Sequence, residues 1–221
     1  MNNGNGKVPV PTLERLATYL RYLIDLGLNN VETISSSAVE DETGVNAAQF
    51  RKDLSYFGEF GKPGVGYNVL DLQNRIARIL KIDQEQRVLL VGAGNLGSAL
   101  VGYPGLQEHR FNLVAVFDNN YAKIGRKLWD LEIMDIAKLK ETNARLKAHM
   151  AIVAVPRPAA QGVADSLIDA DVRAILNFAP TVLRVPDHVV VRNVSFVQEL
   201  AVLSYHLSTE HDLTVPEPAE R

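Results

Sequence analysis

Three glycines spaced Gly-x-Gly-x-x-Gly, in Gly92-Ala93-Gly94-Asn95-Leu96-Gly97, follow the apolar run Arg87-Val-Leu-Leu-Val91 and precede a helical pattern. This spacing suits a pyrophosphate seat. Gly92 makes the tight turn out of a strand, Gly94 lets backbone approach the pyrophosphate, and Gly97 lets the helix pack close to the sheet. The anion then sits on the helix N-terminus, where free N–H groups and the dipole favour negative charge. A second apolar run, Leu113-Val-Ala-Val-Phe117, ends on Asp118, 21 residues after Gly97. An acid there accepts the adenosine ribose hydroxyls and repels a 2′-phosphate. The pattern predicts NADH and NAD+ rather than their phosphorylated forms, with Lys123 and Arg126 close enough to soften that exclusion.

The 221-residue chain is 47% apolar and 22% charged, with a net charge of −3, and is long enough for two small domains. No run approaches the roughly 18 apolar residues of a membrane span. Met1-Asn-Asn-Gly-Asn-Gly-Lys7 lacks the apolar core of a secretory signal, so a cytoplasmic location is expected. Cysteine is absent, which excludes disulfides, thiolate metal sites, cysteine nucleophiles and thiol-based redox sensing. His109, His149, His188, His206 and His211 are scattered without metal or triad spacing, and no metal is expected. An oxidoreductase would need a substrate cleft and a positioned acid or base. Only about 130 residues follow the N-terminal module, little room for a second catalytic domain, so no catalytic residue and no enzyme are expected. The other alternative is a module binding CoA, ADP or another nucleotide as a regulatory ligand.

The elements before the glycine loop read as a small helical module. Thr12 is placed to cap a first helix with Leu13, Leu16, Leu20, Leu23 and Ile24 at helical spacing and Gly27 as its stop. Ser37-Ala-Val-Glu40 has capping-box spacing and predicts a short second helix ended by Thr43-Gly44. Asn46-Ala-Ala-Gln49 repeats that signature and predicts a third through Phe57, completing a helix-turn-helix pattern. On this third helix Phe50, Leu54 and Phe57 share one side. Gln49, Lys52, Ser55 and Tyr56 fall roughly opposite, with Arg51 on the flank. An amide, a cation, a hydroxyl and an aromatic within two turns suit base edges and phosphates.

Residues 58–67, Gly-Glu-Phe-Gly-Lys-Pro-Gly-Val-Gly-Tyr, read as a hairpin tip, the wing of a winged helix, with Lys62 placed to reach a phosphate. A further amphipathic helix is expected over residues 68–82 and a boundary at residues 83–86. Charge argues the other way. Residues 1–85 hold nine Lys and Arg against eleven Asp and Glu, a net of −2, so the usual basic footprint is missing. DNA binding through so few cations should be strongly salt-sensitive.

After Asp118 the alternation continues with Ala151-Ile-Val-Ala-Val155, a helix after Pro158, and Ala174-Ile-Leu-Asn-Phe178. Val155, Asn177 and Phe178 lie at strand ends, where ligands sit in open α/β sheets, and are candidates for the nicotinamide side. The last helix, residues 196–207, is apolar around most of its circumference, and docking into a partner subunit would bury it. The residues from Thr209 onward read as disordered.

Over almost its whole length the chain resembles the redox-sensing transcriptional repressors of the Rex family. The resemblance is carried by Arg51-Lys-Asp-Leu-Ser-Tyr-Phe-Gly-Glu-Phe-Gly61, Gly64-Val-Gly-Tyr67, Gly92-Ala-Gly-Asn-Leu-Gly-Ser-Ala-Leu100, Phe117-Asp-Asn-Asn120 and Ile175-Leu-Asn-Phe-Ala-Pro180. It implies an α/β homodimer: a flexible start over 1–10, a winged-helix domain over 11–84, a Rossmann doubly wound parallel sheet over 85–194, a swapped dimerisation helix over 195–209 and a tail over 210–221. It also implies release of double-stranded operator DNA when NADH binds, with NAD+ permitting DNA binding. Tyr103 and Phe196 join the cofactor-side residues in this picture. The family commonly carries Asn-Val-Asp before the last helix, the Asp joining a Tyr and an Arg that match Tyr103 and Arg21. Here the motif is Asn193-Val-Ser195. A hydroxyl can hydrogen-bond but cannot form the charge-assisted pair, so a muted effect of NAD+ is expected.

Overall fold

The computed structural model describes residues 8–61 and 64–208, and the chain divides between Glu85 and Gln86 into two compact units. The first is built on helix α1 (Val10–Leu28), which packs along α2 (Ser36–Thr43), α3 (Ala47–Ser55) and α4 (Val69–Ile79). Leu16, Tyr19, Leu20 and Leu23 of α1 meet Val39, Phe50, Leu54, Leu72 and Ile76 in one apolar core. Phe50 is clasped edge-on by Tyr19 at 4.9 Å and Tyr67 at 5.3 Å between ring centroids.

Several helix ends differ from the sequence expectation, each for a local reason. Pro9, not Thr12, stands at the cap of α1; Pro11 in the first turn loses no bond, because that N–H would have no helical acceptor. Thr12 is inside the helix and buried. Gly27 does not stop α1. Asn30, at φ 58°, adopts the left-handed conformation while Val31 N–H donates to Leu26 O and Asn30 N–H to Gly27 O, a Schellman ending. Lys81 closes α4 in the same way, at φ 56° with Ile82 N–H on Ala77 O, so α4 is shorter than the expected 68–82. Ser35 rather than Ser37 caps α2, its hydroxyl accepting from Ala38 N–H at 3.1 Å. Glu40 therefore does not close a capping box; its carboxylate accepts from Ala47 N–H and helps start α3. Asn46 caps α3 through Ala48 N–H.

The glycine-rich stretch is held differently from a simple hairpin. Strand β1 (Thr33–Ile34), between α1 and α2, pairs antiparallel with β2 (Tyr67–Asn68). Gly61 and Gly66, before β2, take φ 71° and 89°, and a Cβ on Gly66 would stand 2.6 Å from Ile34 O. Lys62 lies outside the described residues.

The second unit is a seven-stranded sheet: β3 (Gln86–Val91), β4 (Phe111–Asp118), β5 (Lys127–Leu128), β6 (Leu131–Asp135), β7 (Met150–Val153), β8 (Ala174–Asn177) and β9 (Val190–Asn193), ordered β5-β6-β4-β3-β7-β8-β9. All pairs are parallel except the β5–β6 edge. Successive strands run outward from β3 in both directions, so the crevice for a ligand opens between the C-terminal ends of β3 and β7. Helices α7 (Leu139–Leu146) and α8 (Arg157–Asp169) cover one face, where Leu139, Ala160, Ala164 and Leu167 pack on Leu89, Val91, Phe117 and Val153. On the other face Leu100 and Val101 of α5 (Asn95–Val101) pack against Val88, Leu90, Val116 and Ile152. A short helix, α6 (Pro104–Glu108), leads into β4, and α9 (Phe196–Ser208) ends the described chain.

Candidate functional site

The glycine loop is shaped by close backbone packing. Gly92 turns out of β3 at φ 105°, and a Cβ there would stand 2.3 Å from Ala154 O at the end of β7. A Cβ on Gly97 would stand 1.9 Å from Gly92 O, so α5 rests directly on the loop. Gly94 differs: nothing lies within 4 Å of its Cβ position, and as the cap of α5 it supplies no side chain to the helix's free N–H groups. The loop is therefore tight behind and open in front.

Asp118 closes this loop from β4. Its carboxylate, 8% exposed, accepts from Ala93 N–H at 2.9 Å, Asn120 N–H at 2.9 Å and the Lys123 ammonium at 3.2 Å. Burial pushes the carboxyl up, but the two backbone donors and Lys123 outweigh it and hold the pKa below the ordinary carboxylate value. The acid expected to face a ribose thus also ties the glycine loop to β4. A cavity of about 520 Å³ opens over it, lined by Gly92, Gly94, Asp118, Asn120, Lys123, Val155 and Pro156 with one face of α8, a size suited to cofactor-like ligands. That α8 face is Ala159, Gly162, Val163 and Ser166. The sequence reading missed it, although small residues at i, i+3, i+4 and i+7 are a legible helical stripe.

Ala93, Asn95, Leu96 and Gly97 form the loop and the first turn of α5 behind the cavity, whereas Tyr103, Asn177, Phe178 and Phe196 lie outside its lining. Asn177 is fully buried. It donates to Ala179 O, Thr181 O and Asn193 Oδ1 and accepts from Ala179 N–H, so it locks the turn after β8 instead of offering a free amide. Phe178 meets Phe196 of the same chain at 6.2 Å between centroids. Tyr103 is exposed, at the start of α6.

In the first unit, α3 turns Arg51, Lys52, Ser55 and Tyr56 to solvent. Arg51 donates to Ser36 Oγ at 2.7 Å, which bridges α3 to the start of α2. Both Arg51 and Ser55 line a shallow concavity of about 750 Å³ with Ser35, Gly58, Gly61 and Gly64. Gln49 departs from the expectation: it is half-buried, and its amide donates to Asp53 Oδ1 at 2.8 Å. Asp53 is the residue that sequence reasoning passed over. It is 0% exposed on the apolar side of α3 and also accepts from Thr12, Arg15 and Tyr19.

Two family models match the chain: "CoA binding domain" over residues 83–181 and "Putative DNA-binding protein N-terminus" over residues 7–55. The redox-sensing transcriptional repressor Rex of Pelotomaculum thermopropionicum is 47% identical over 201 residues, 91% of this chain and 94% of that protein. The Rex of Carboxydothermus hydrogenoformans is likewise 47% identical, covering 91% and 97%. The chain belongs to the Rex family. The solved structure of RSP in complex with β-NAD+ and operator DNA superimposes with a TM-score of 0.88 at 40% identity, covering 93% of this chain and 95% of that one. RSP in complex with β-NADH gives 0.84 at 38%, covering 93% and 97%.

The segment before the last helix carries Ser195 where the resemblance implies an acid. Ser195 Oγ accepts from Gln198 N–H at 3.3 Å and caps α9. Arg21 of the first unit and Tyr103 of the second are both exposed. Along α9 itself Val197, Leu200, Leu203 and Leu207 are exposed in the single chain. Among the described residues no cluster of His, Cys, Asp or Glu could hold a metal ion, and no helix is long and apolar enough to cross a membrane.

Proposed function

We propose that this protein is a cytoplasmic, homodimeric transcriptional repressor that binds double-stranded operator DNA and releases it when NADH replaces NAD+ in the second unit. The observation that carries the reading is the presence in one chain of a glycine loop open at Gly94 and a helix-turn-helix with Arg51, Lys52, Ser55 and Tyr56 on its free face. In this reading α3 enters the major groove, Lys62 touches backbone, and a twofold dimer meets an inverted repeat with half-sites about one or two helical turns apart. The dinucleotide lies over Gly92–Gly97 with its ribose toward Asp118 and its nicotinamide toward Val155, Phe178 and Phe196. The bare apolar side chains of α9 support burial against a second subunit, since an exposed stripe of that extent marks an interaction site.

The test is operator binding at fixed salt while the NADH/NAD+ ratio is varied. NADH should weaken binding more than NAD+ at matched saturation; equal weakening would overturn the redox reading. The family match named for CoA binding gives a second reading for the pocket. A competition titration of NADH against CoA and ADP separates the two, and displacement of NADH by micromolar CoA would favour the second.

A further inference from the structure

We propose that Asp53 and Arg15 are positioning residues for the DNA-reading helix, and that Gln49 belongs to this clamp and reads no base. The inference rests on the proposed DNA-binding role of α3. Five hydrogen bonds converge on the Asp53 carboxylate: Thr12 Oγ1 at 3.1 Å, Arg15 Nε at 2.6 Å and Nη2 at 2.7 Å, Tyr19 hydroxyl at 2.9 Å and Gln49 Nε2 at 2.8 Å. Thr12, Arg15 and Tyr19 share one face of α1 at i, i+3 and i+7, while Gln49 lies one turn before Asp53 on α3. No buried side-chain polar atom among the described residues lacks a partner, so the network is complete.

Adhesion alone does not call for this arrangement. Asp53 sits between Phe50 and Leu54 on the buried side of α3, where an apolar residue would hold the helix as well. Asp53 is fully buried and Arg15 partly so, and replacing a buried ion pair by apolar groups of similar volume is often neutral or stabilising. What the clamp adds is direction. An apolar contact tolerates roll and slide, whereas four short bonds from α1 to one carboxylate fix the rotation and axial register of α3, and Gln49 holds that carboxylate in place. A roll of about 20° would carry a side-chain tip, about 6 Å from the helix axis, through about 2 Å, enough to break a base contact. The face so fixed is the one that carries Arg51, Lys52, Ser55 and Tyr56.

The test replaces the network with apolar groups in the full-length chain: Thr12→Val, Arg15→Met, Tyr19→Phe and Asp53→Leu together. The set removes one cation and one anion, so net charge and the electrostatic part of DNA binding are conserved. Operator affinity should fall at least tenfold, while affinity for random duplex, its salt slope and NADH affinity hold. Gln49→Ala should leave the ranking of single-base operator variants unchanged, whereas a base reader would lose discrimination at one position. Operator affinity within about twofold of the parent, in a folded variant, would overturn the clamp. Equal loss on operator and random DNA would overturn it too, by making Arg15 a phosphate contact. Should the fourfold variant fail to fold, Arg15→Lys gives the same readouts with one donor retained, and Lys restoring part of what Arg15→Met loses supports the clamp. A parent chain that cannot tell operator from random duplex refutes the DNA-binding role of α3, a distinct result.

Discussion

Alanine at Gly97 and at Gly94 should have opposite effects on stability and the same effect on cofactor binding. In Gly97→Ala the new methyl would stand 1.9 Å from Gly92 O and 3.1 Å from its carbonyl carbon. Ordinary contact begins near 3.4 Å, so helix and loop must part by about 1.5 Å. Overpacking of this kind costs about 1–3 kcal/mol, offset by about 0.9 kcal/mol from the better helix former, for a net destabilisation of up to about 2 kcal/mol. A phosphate bond stretched by that displacement is lost, and one charge-assisted bond is worth about 1.5–3 kcal/mol, so NADH affinity should fall at least tenfold. Gly94→Ala meets nothing within 4 Å and starts from φ −81°. It should leave stability unchanged or raise it by about 0.4–1 kcal/mol through the unfolded chain. Yet its methyl occupies the space through which the pyrophosphate approaches, so NADH binding should weaken at least as much. Urea midpoints and NADH fluorescence titrations read both quantities. If Gly94→Ala bound NADH as the parent does, the pyrophosphate would not cross Gly94 and the proposed pose would fail.

Acid stability follows from the two buried carboxylates. Asp53 and Asp118 both titrate below their ordinary 3.8 in the folded state, so each contributes stability present above that value and lost as pH falls through the folded pKa. Urea midpoints should hold between about pH 6 and pH 5 and fall below about pH 4; an Asp53→Asn chain with as steep a fall would deny Asp53 its share. Asp118→Ala should improve NADPH binding by removing the repelling charge, while lowering NADH affinity through loss of the Ala93 and Asn120 bonds. Lys123→Ala should do the reverse for the phosphorylated cofactor, raising the NADH-over-NADPH preference about tenfold, the worth of one charge-assisted contact; titration of both cofactors decides. Ser195→Asp should fold normally, because Asp caps a helix as well as Ser. It should enlarge the effect of NAD+ on operator affinity, and an unchanged NAD+ response would remove Ser195 from the switch.

What could be read in the sequence is what depends on neighbours a few residues away. The glycine loop, the cap at Asn46 and the placing of Phe50 and Leu54 inside α3 are all local patterns. Asp53 fails that test. Its meaning comes from Thr12, Arg15 and Tyr19, 34 to 41 residues earlier, and a lone Asp on an apolar stripe carries no sign of its partners. Gln49 was misplaced for the same reason, since its amide follows Asp53 inward. The two-residue strands Thr33–Ile34 and Tyr67–Asn68 are too short to show a period. The endings of α1 and α4 were missed because Asn30 and Lys81 take a conformation more often announced by glycine. Between Asp118 and Met150, β5, β6 and α7 fell within a stretch whose strands are short and whose helix carries mixed charge.

Cysteine is absent, so NADH and NAD+ must be told apart without thiol chemistry. The oxidised nicotinamide is cationic and the reduced ring neutral. In the proposed pose two opposing effects meet at the Phe178–Phe196 pair, whose ring centroids lie 6.2 Å apart. A cation against an aromatic face gains about 0.5–2 kcal/mol, which favours NAD+. Removing an ion from water without a counter-charge carries an effective penalty of several kcal/mol, which favours NADH once the rings close over it. The second effect is the larger, so NADH should bind more tightly. Phe196, 61% exposed in the single chain, is the ring whose removal readmits water. In Phe196→Ala the NADH-to-NAD+ affinity ratio should therefore narrow; a wider ratio would mean that the rings were holding the cation. Tight binding alone moves no equilibrium. NADH can drive release only by its differential affinity for the DNA-free arrangement, and linkage requires operator DNA to weaken NADH binding by the same factor as NADH weakens operator binding. Titrating NADH with and without saturating operator measures that factor directly, and in Phe196→Ala the corresponding factors for NADH and NAD+ should converge as the affinity ratio narrows.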